Sequence, residues 1–229
     1  IEDTKPYVTT PIVLDDGTQF TAKLLVDSGA SHGLMLDPES DSRINVPANA
    51  VSSVIGRGIG GEITGKVGRI QCLHLGPFQL KEAIANFPDP NSYFDSLKLG
   101  TTPRNGAIGG ETLSRFTVVF NFPKEEMYLK KNHAFKKGFH YNLSGITVKA
   151  KGAHLEVFEI TSVRKQSAAD KAGILEGDII VSINGLLAST IDLNVINALL
   201  NYKPGKKMHL TIDRNGNRQK KDFRLEDQI

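Results

Sequence analysis

The 229-residue sequence holds one cysteine, no tryptophan, and no apolar run approaching the ~20 residues that span a bilayer. The first absence excludes an internal disulfide and makes Cys72 a small core residue. The last excludes a transmembrane helix. Charge of one sign is also scarce: 28 Lys and Arg stand against 25 Asp and Glu, a net +3. No basic stripe interleaved with aromatics is present, so nucleic acid is not an expected partner. His74, His133, His140 and His154 lack metal-ligand spacing, and neither a metal nor a cofactor is expected. The chain begins with Ile1 and nothing there reads as a signal peptide, so the expectation is that an upstream part has been removed. What is present is a globular composition, 39% hydrophobic and 23% charged, enough for one large or two small domains.

The chain is organised around Leu24, Leu25, Val26, Asp27, Ser28, Gly29, Ala30 and Ser31, an apolar run that ends in an acid, a hydroxyl and a glycine. A carboxylate at the end of a core strand is costly without donors, which the Ser28 hydroxyl and the N–H groups of Gly29 and Ala30 can supply. Gly29 lets the backbone turn sharply and approach a partner. On the residues alone two readings stay open: an Asx- or Ser-type turn after a strand, or an acid delivered into a catalytic site. Ser31 and His32 are adjacent, and on an extended chain neighbours point to opposite sides, which argues against a serine nucleophile served by that histidine.

Val26, Asp27, Ser28, Gly29 and Ala30 resemble, in order, the active-site loop of aspartic peptidases. Ala107, Ile108 and Gly109, followed by Gly110, Glu111, Thr112 and Leu113, are similar to the apolar-apolar-glycine element that passes beneath that loop. The resemblance implies a mainly β chain whose residues 1–139 form one closed β lobe. It makes Asp27 the catalytic carboxylate, Ser28 the hydroxyl that braces paired loops, and Gly29 the point of backbone approach. Ala30, Ile108 and Gly109 would support the loop.

Along the chain, β-branched residues predict strands over 7–14 and 18–26, joined by a turn at Asp15, Asp16 and Gly17, with Pro11 marking an edge or bulge. A short strand is expected over 33–36. From Val54 to Gly68 the glycines crowd into a segment with many allowed backbone states. It has no Lys and Ser/Thr pair of the P-loop kind. By resemblance it is a flap closing over a bound peptide, with Gly58, Ile59, Gly60 and Gly61 at its tip; the aromatic that many family members place there is missing. Strands over 69–75 and 78–87, a polar loop over 88–104, a helix over 111–115 and a hairpin over 116–130 complete the lobe.

Beyond Tyr141 the pattern changes. Strands are expected over 155–163 and around 179–183, helices over 167–172 and 191–202, and a hairpin over 208–225. Ala168, Ala169, Ala172, Gly173, Gly177, Asp178, Ile183, Asn184 and Gly185 resemble the signature of a PDZ domain in the strand order of bacterial proteases. This implies an α+β, partly open barrel over 140–229 that binds an extended peptide beside a sheet edge. Its carboxylate-binding loop would be Leu143, Ser144, Gly145 and Ile146, with Ser144 where the family usually has an apolar residue.

Aspartic peptidases use two carboxylates that share a proton, because like charges so close cannot both ionise. This sequence contains one such loop, so the resemblance implies a partner: an upstream peptidase lobe or a second copy of the chain. The resemblance implies hydrolysis of a peptide or protein substrate, with the PDZ module binding peptide or regulating access; the residues themselves do not give the compartment, and the cell envelope or periplasm is what the family resemblance alone implies. The rival is a non-catalytic peptide-binding adaptor that keeps the peptidase fold.

Overall fold

The computed structural model describes residues 1–2, 4–58, 61–90 and 102–229. The chain divides into two compact units, residues 1–139 with Ile229, and residues 140–228.

In the first unit β1 (Tyr7–Val13) and β2 (Gln19–Val26) form an antiparallel hairpin. Every second residue of β2 points inward, and Phe20, Ala22, Leu24 and Val26 are buried, the period-2 pattern of a sheet with one covered face. Burying a side chain such as Leu24 contributes about 1.5–3 kcal/mol. Pro11 is tolerated because β5 (Gly61–Leu75) takes up β1 only at Ile12 and Val13, just beyond it. That short β1–β5 pairing closes a barrel whose remaining strands are β3 (Leu34–Leu36), β6 (Phe78–Pro88) and β7 (Gly106–Ile108). Strand β4 (Val51–Gly58) lies outside the closed ring, on β5. Helix α1 (Gly110–Leu113) leads to a separate hairpin of β8 (Phe116–Asn121) and β9 (Glu126–Lys131).

The glycine-dense segment differs from a simple mobile stretch. Gly56 and Gly58 lie in β4 and Gly61, Gly65 and Gly68 in the 15-residue β5, and two of these glycines are demanded by packing. A Cβ at Gly65 would stand 2.3 Å from the Phe87 carbonyl oxygen, and one at Gly68 would stand 2.9 Å from the Pro47 ring.

The second unit is a sheet ordered β10 (Ile146–Lys151), β11 (Val157–Val163), β12 (Ile179–Ile183), β14 (Lys207–Arg214), β15 (Asn217–Arg224). Strand β13 (Leu186–Leu187) pairs with β12 off this path. Strand β11 begins later than expected: Leu155 is 62% exposed at φ +57°, in a turn closed by its N–H to Gly152 O. Helix α2 (Ala168–Lys171) is capped by Ser167, and α3 (Leu193–Leu200) by Asp192, whose carboxylate accepts the Val195 N–H. This N-cap delays α3 past Ile191. The core gathers Phe158, Ile160, Ile183, Ile196, Leu200 and Met208.

Candidate active site

Strand β7 is the axis of the site. It runs parallel to β2 on one side, with Val26 opposite Ile108, and antiparallel to β3 on the other, with Leu34 opposite Ile108. The chain therefore leaves β2 at Asp27, crosses the end of β7, and returns as β3. Hydrogen bonds lock this crossing: Asp27 N–H donates to Ile108 O at 2.9 Å, Gly109 N–H to Gly33 O at 2.9 Å, and Gly110 N–H to Ala30 O at 2.7 Å.

The crossing leaves no room for a side chain at Gly106 or Gly109. A Cβ at Gly106 would lie 1.8 Å from Met35 O, and one at Gly109 would lie 2.1 Å from His32 O. Gly109 has φ −106°, ordinary extended backbone, so its glycine identity is a matter of space. Ile108 is fully buried under the loop, which sets Ile108 and Gly109 below residues 27–33.

Asp27 is half-buried at the mouth of the crossing, and its Oδ1 accepts the Gly29 N–H at 2.9 Å. Ser28 and Gly29 are exposed and Ala30 is half-buried. The acid is thus oriented by its own loop while the surface around it stays open. Behind it, α1 is anchored by Arg115, only 4% exposed, which donates to the Glu111 carboxylate and to Gly138 O and stacks over the Phe139 ring.

His32 has a larger part in this loop than its sequence position suggested. Its Nε2 is buried without a hydrogen-bond partner. Burial holds the imidazole below its ordinary pKa, although the Asp27 charge and a hydrogen bond to the Ala107 backbone pull the other way. The sequence showed only its place beside Ser31, because the environment is made by β7, some 75 positions further on by numbering.

Of the expected flap, Gly58 and Gly61 face each other as the last pair of the β4–β5 hairpin. Ile59 and Gly60 lie outside the described residues. A cavity of about 430 Å³, lined by Tyr7, Val26, Phe78, Phe120, Phe122 and Tyr128 among others, shares Val26 with the strand that presents the acid but does not include Asp27.

In the second unit Leu143, Ser144, Gly145 and Ile146 form a tight loop entering β10, and all four residues are buried. Gly145 needs its glycine twice over: φ is +82°, and a Cβ there would fall 2.1 Å from Ser167 Cβ. Strand β10 is one end of the sheet order and α3 packs against it, so a sheet edge lies beside a helix. Asp178, 1% exposed, accepts two bonds from the Arg214 guanidinium, at 2.6 and 2.7 Å, and one from Leu175 N–H. Burial pushes its carboxyl up, but these donors and the Arg214 and Lys221 charges outweigh that and leave it below its ordinary value.

Among the described residues no three His, Cys, Asp or Glu side chains gather as a metal site, and no helix is long and apolar enough to cross a membrane.

Comparison with known proteins follows the same division. Residues 11–112 match the aspartyl protease family model, and residues 144–225 match the PDZ domain model. No curated protein matches the chain. Among solved structures, a retropepsin-like aspartic protease from Rickettsia conorii is 13% identical, over 56% of this chain and 84% of that one, with a TM-score of 0.37. The PDZ domain of HtrA3, bound to a phage-derived ligand, is 23% identical over 36% of this chain and 82% of that one, TM-score 0.30. An aminopeptidase N family protein from Idiomarina loihiensis is 20% identical over 37% of this chain, TM-score 0.31, and the match spans only 14% of its length.

Proposed function

We propose that the aspartyl protease domain within residues 1–139 is one half of an aspartic endopeptidase site, with Asp27 as its catalytic carboxylate, and that residues 140–229 are a peptide-binding PDZ module. The observation that carries this reading is the presentation of Asp27: a half-buried acid, oriented by the Gly29 N–H and held at the end of a locked strand crossing, with an open surface in front of it.

The chemistry needs a second carboxylate close by, so that one is protonated and the other ionised. The ionised member takes a proton from water as the oxygen attacks the peptide carbonyl carbon. The protonated member gives its proton to the carbonyl oxygen. Collapse of the tetrahedral species returns a hydroxyl proton to the carboxylate that had protonated the carbonyl oxygen and breaks the C–N bond, and the amine leaves with the proton that the other carboxyl took from water. Asp27 supplies one carboxylate; a second lobe bearing the same kind of loop, from another copy of the chain or from an upstream lobe, supplies the other. Ser28, exposed beside the acid, braces the two loops against each other, and Gly29 lets them come close. Ile108 and Gly109 keep the loop in place, and the β4–β5 hairpin around Gly58 and Gly61 covers the bound peptide.

The test is cleavage of an unfolded protein such as casein, with a hydroxyethylene peptide isostere as inhibitor. That isostere mimics the tetrahedral species and should bind far more tightly than substrate. Cleavage that the isostere blocks and that Asp27→Asn abolishes supports the reading. Cleavage retained in Asp27→Asn removes Asp27 from the chemistry.

A further inference from the structure

The loop that would hold a peptide's terminal carboxylate is already occupied by the chain's own acceptors. Gly145 N–H donates to both the backbone oxygen and the side-chain Oδ1 of Asn142, each at 3.0 Å. Ile146 N–H donates to Ser144 Oγ at 3.2 Å, and the Ser144 hydroxyl in turn donates to Asn142 Oδ1 at 3.1 Å. Leu143 N–H donates to Asn201 Oδ1 at 2.9 Å, and Asn201 is itself tied to α3 through Asn197 O. Three of the loop's four N–H groups therefore end on neutral oxygens from Asn142, Ser144 and Asn201.

The loop is also held from its carbonyl side. Leu143 O accepts from Glu226 N–H, Ser144 O from Ala169 N–H and Gly145 O from Arg164 N–H, at 2.9, 3.1 and 2.8 Å. Ser144 is fully buried, so its hydroxyl cannot turn to water without opening the loop. A carboxylate entering here would have to displace buried acceptors whose own bonds would then be lost, and leaving a buried polar group unpaired is expensive. The edge of β10 carries no such obstacle, because strand addition uses its outward backbone groups.

We infer that the groove between β10 and α3 takes an internal extended segment of a polypeptide, not a free C-terminus. This rests on the peptide-binding reading of the PDZ module above. The groove also states a charge preference. Lys149 and Lys151 stand exposed on β10, Glu159 of β11 lies opposite Lys149 in register and pairs with Lys151, and α3 carries no charged residue. An incoming strand fits best with apolar residues toward Val195 and Leu199, which share a face of α3 at i, i+4 spacing, and an acid across from Lys149.

The experiment pans a phage library of random decapeptides against the full chain carrying Asp27→Asn, which protects the library from cleavage. The library is displayed in two formats, at a free C-terminus and embedded between flanking linkers. The inference expects enrichment in both formats, with acids recurring at one position. A recovered sequence made as free acid and as amide should then bind with affinities within about threefold of each other, and Val195→Asp should abolish binding of both. Enrichment in the C-terminal format alone, or a free acid at least about tenfold tighter than the amide, overturns the inference and leaves the peptide-binding reading standing. Binding that survives Val195→Asp places the ligand elsewhere and also overturns it. Enrichment in neither format removes the peptide-binding reading itself.

Discussion

Two short glycine-bearing loops, residues 27–30 and 143–146, hold the residues proposed for catalysis and for peptide binding, and they are built in opposite ways. In the first the backbone is locked from beneath while the functional group remains available: Asp27 uses the Gly29 N–H for orientation and keeps its carboxylate half-exposed. In the second the backbone is locked from every side and the donors themselves are taken up by Asn142, Ser144 and Asn201. Rigidity alone does not make a site. What separates the two is whether the groups that a ligand would need are left without internal partners.

The comparison can be broken most severely at Asp27. Asp27→Asn should lower the rate of peptide cleavage by about 10²- to 10⁴-fold, the range for loss of a general acid or base, with unchanged thermal stability of either unit. Cleavage assays paired with calorimetry check both halves of that statement. In the second unit the corresponding large effect is on stability. Asp178→Ala leaves Arg214 without its buried partner and should destabilise residues 140–228 by about 3–5 kcal/mol, measurable by urea unfolding. Gly109→Ala forces a methyl into the His32 and Ala30 carbonyls and should cost the first unit about 3 kcal/mol, the upper end of overpacking. The smallest effect lies at the closed loop itself. Ser144→Ala removes one buried acceptor and one donor together, and should cost about 1 kcal/mol.

Acid separates the two units as well. His32 is held below its ordinary value of 6.5, so the unfolded chain binds its proton more readily than the folded one. The first unit therefore has this contribution in full above pH 6.5 and loses it as pH falls toward the folded pKa. Asp178 is also depressed, from an ordinary value of 3.8, so its contribution to the second unit persists until pH falls below that range. Unfolding followed separately for each unit should show the first weakening at milder acid, and His32→Asn should flatten that early loss.

The legible parts of this molecule were the ones whose meaning is local. Asp27, Ser28 and Gly29 stood in order after an apolar run, and Ala107, Ile108 and Gly109 stood where a supporting element was expected. The β12 strand with its flanking Gly177 and Gly185 was equally plain. Long-range geometry was not legible. The barrel closes through a two-residue contact between β1 and β5, across about 60 positions of chain, and no local pattern announces it. Gly65 and Gly68 suggested mobility, yet their reason is the nearness of Phe87 and Pro47. Asn201 gives no sign in the sequence that it reaches back 58 positions to cap Leu143 N–H. Ser144 did stand out as a polar residue at a position usually apolar, and the structure supplies the acceptor role behind it.

The central claim is that Asp27 is one of two carboxylates in a shared site. The most direct measurement is the rate of peptide cleavage per chain as a second half-site is supplied, by raising the concentration of the chain and by adding a longer form that carries an upstream lobe. The account predicts a rate per chain that climbs as half-sites pair and that disappears in Asp27→Asn under every condition. A rate that is the same with Asn at position 27 would contradict it.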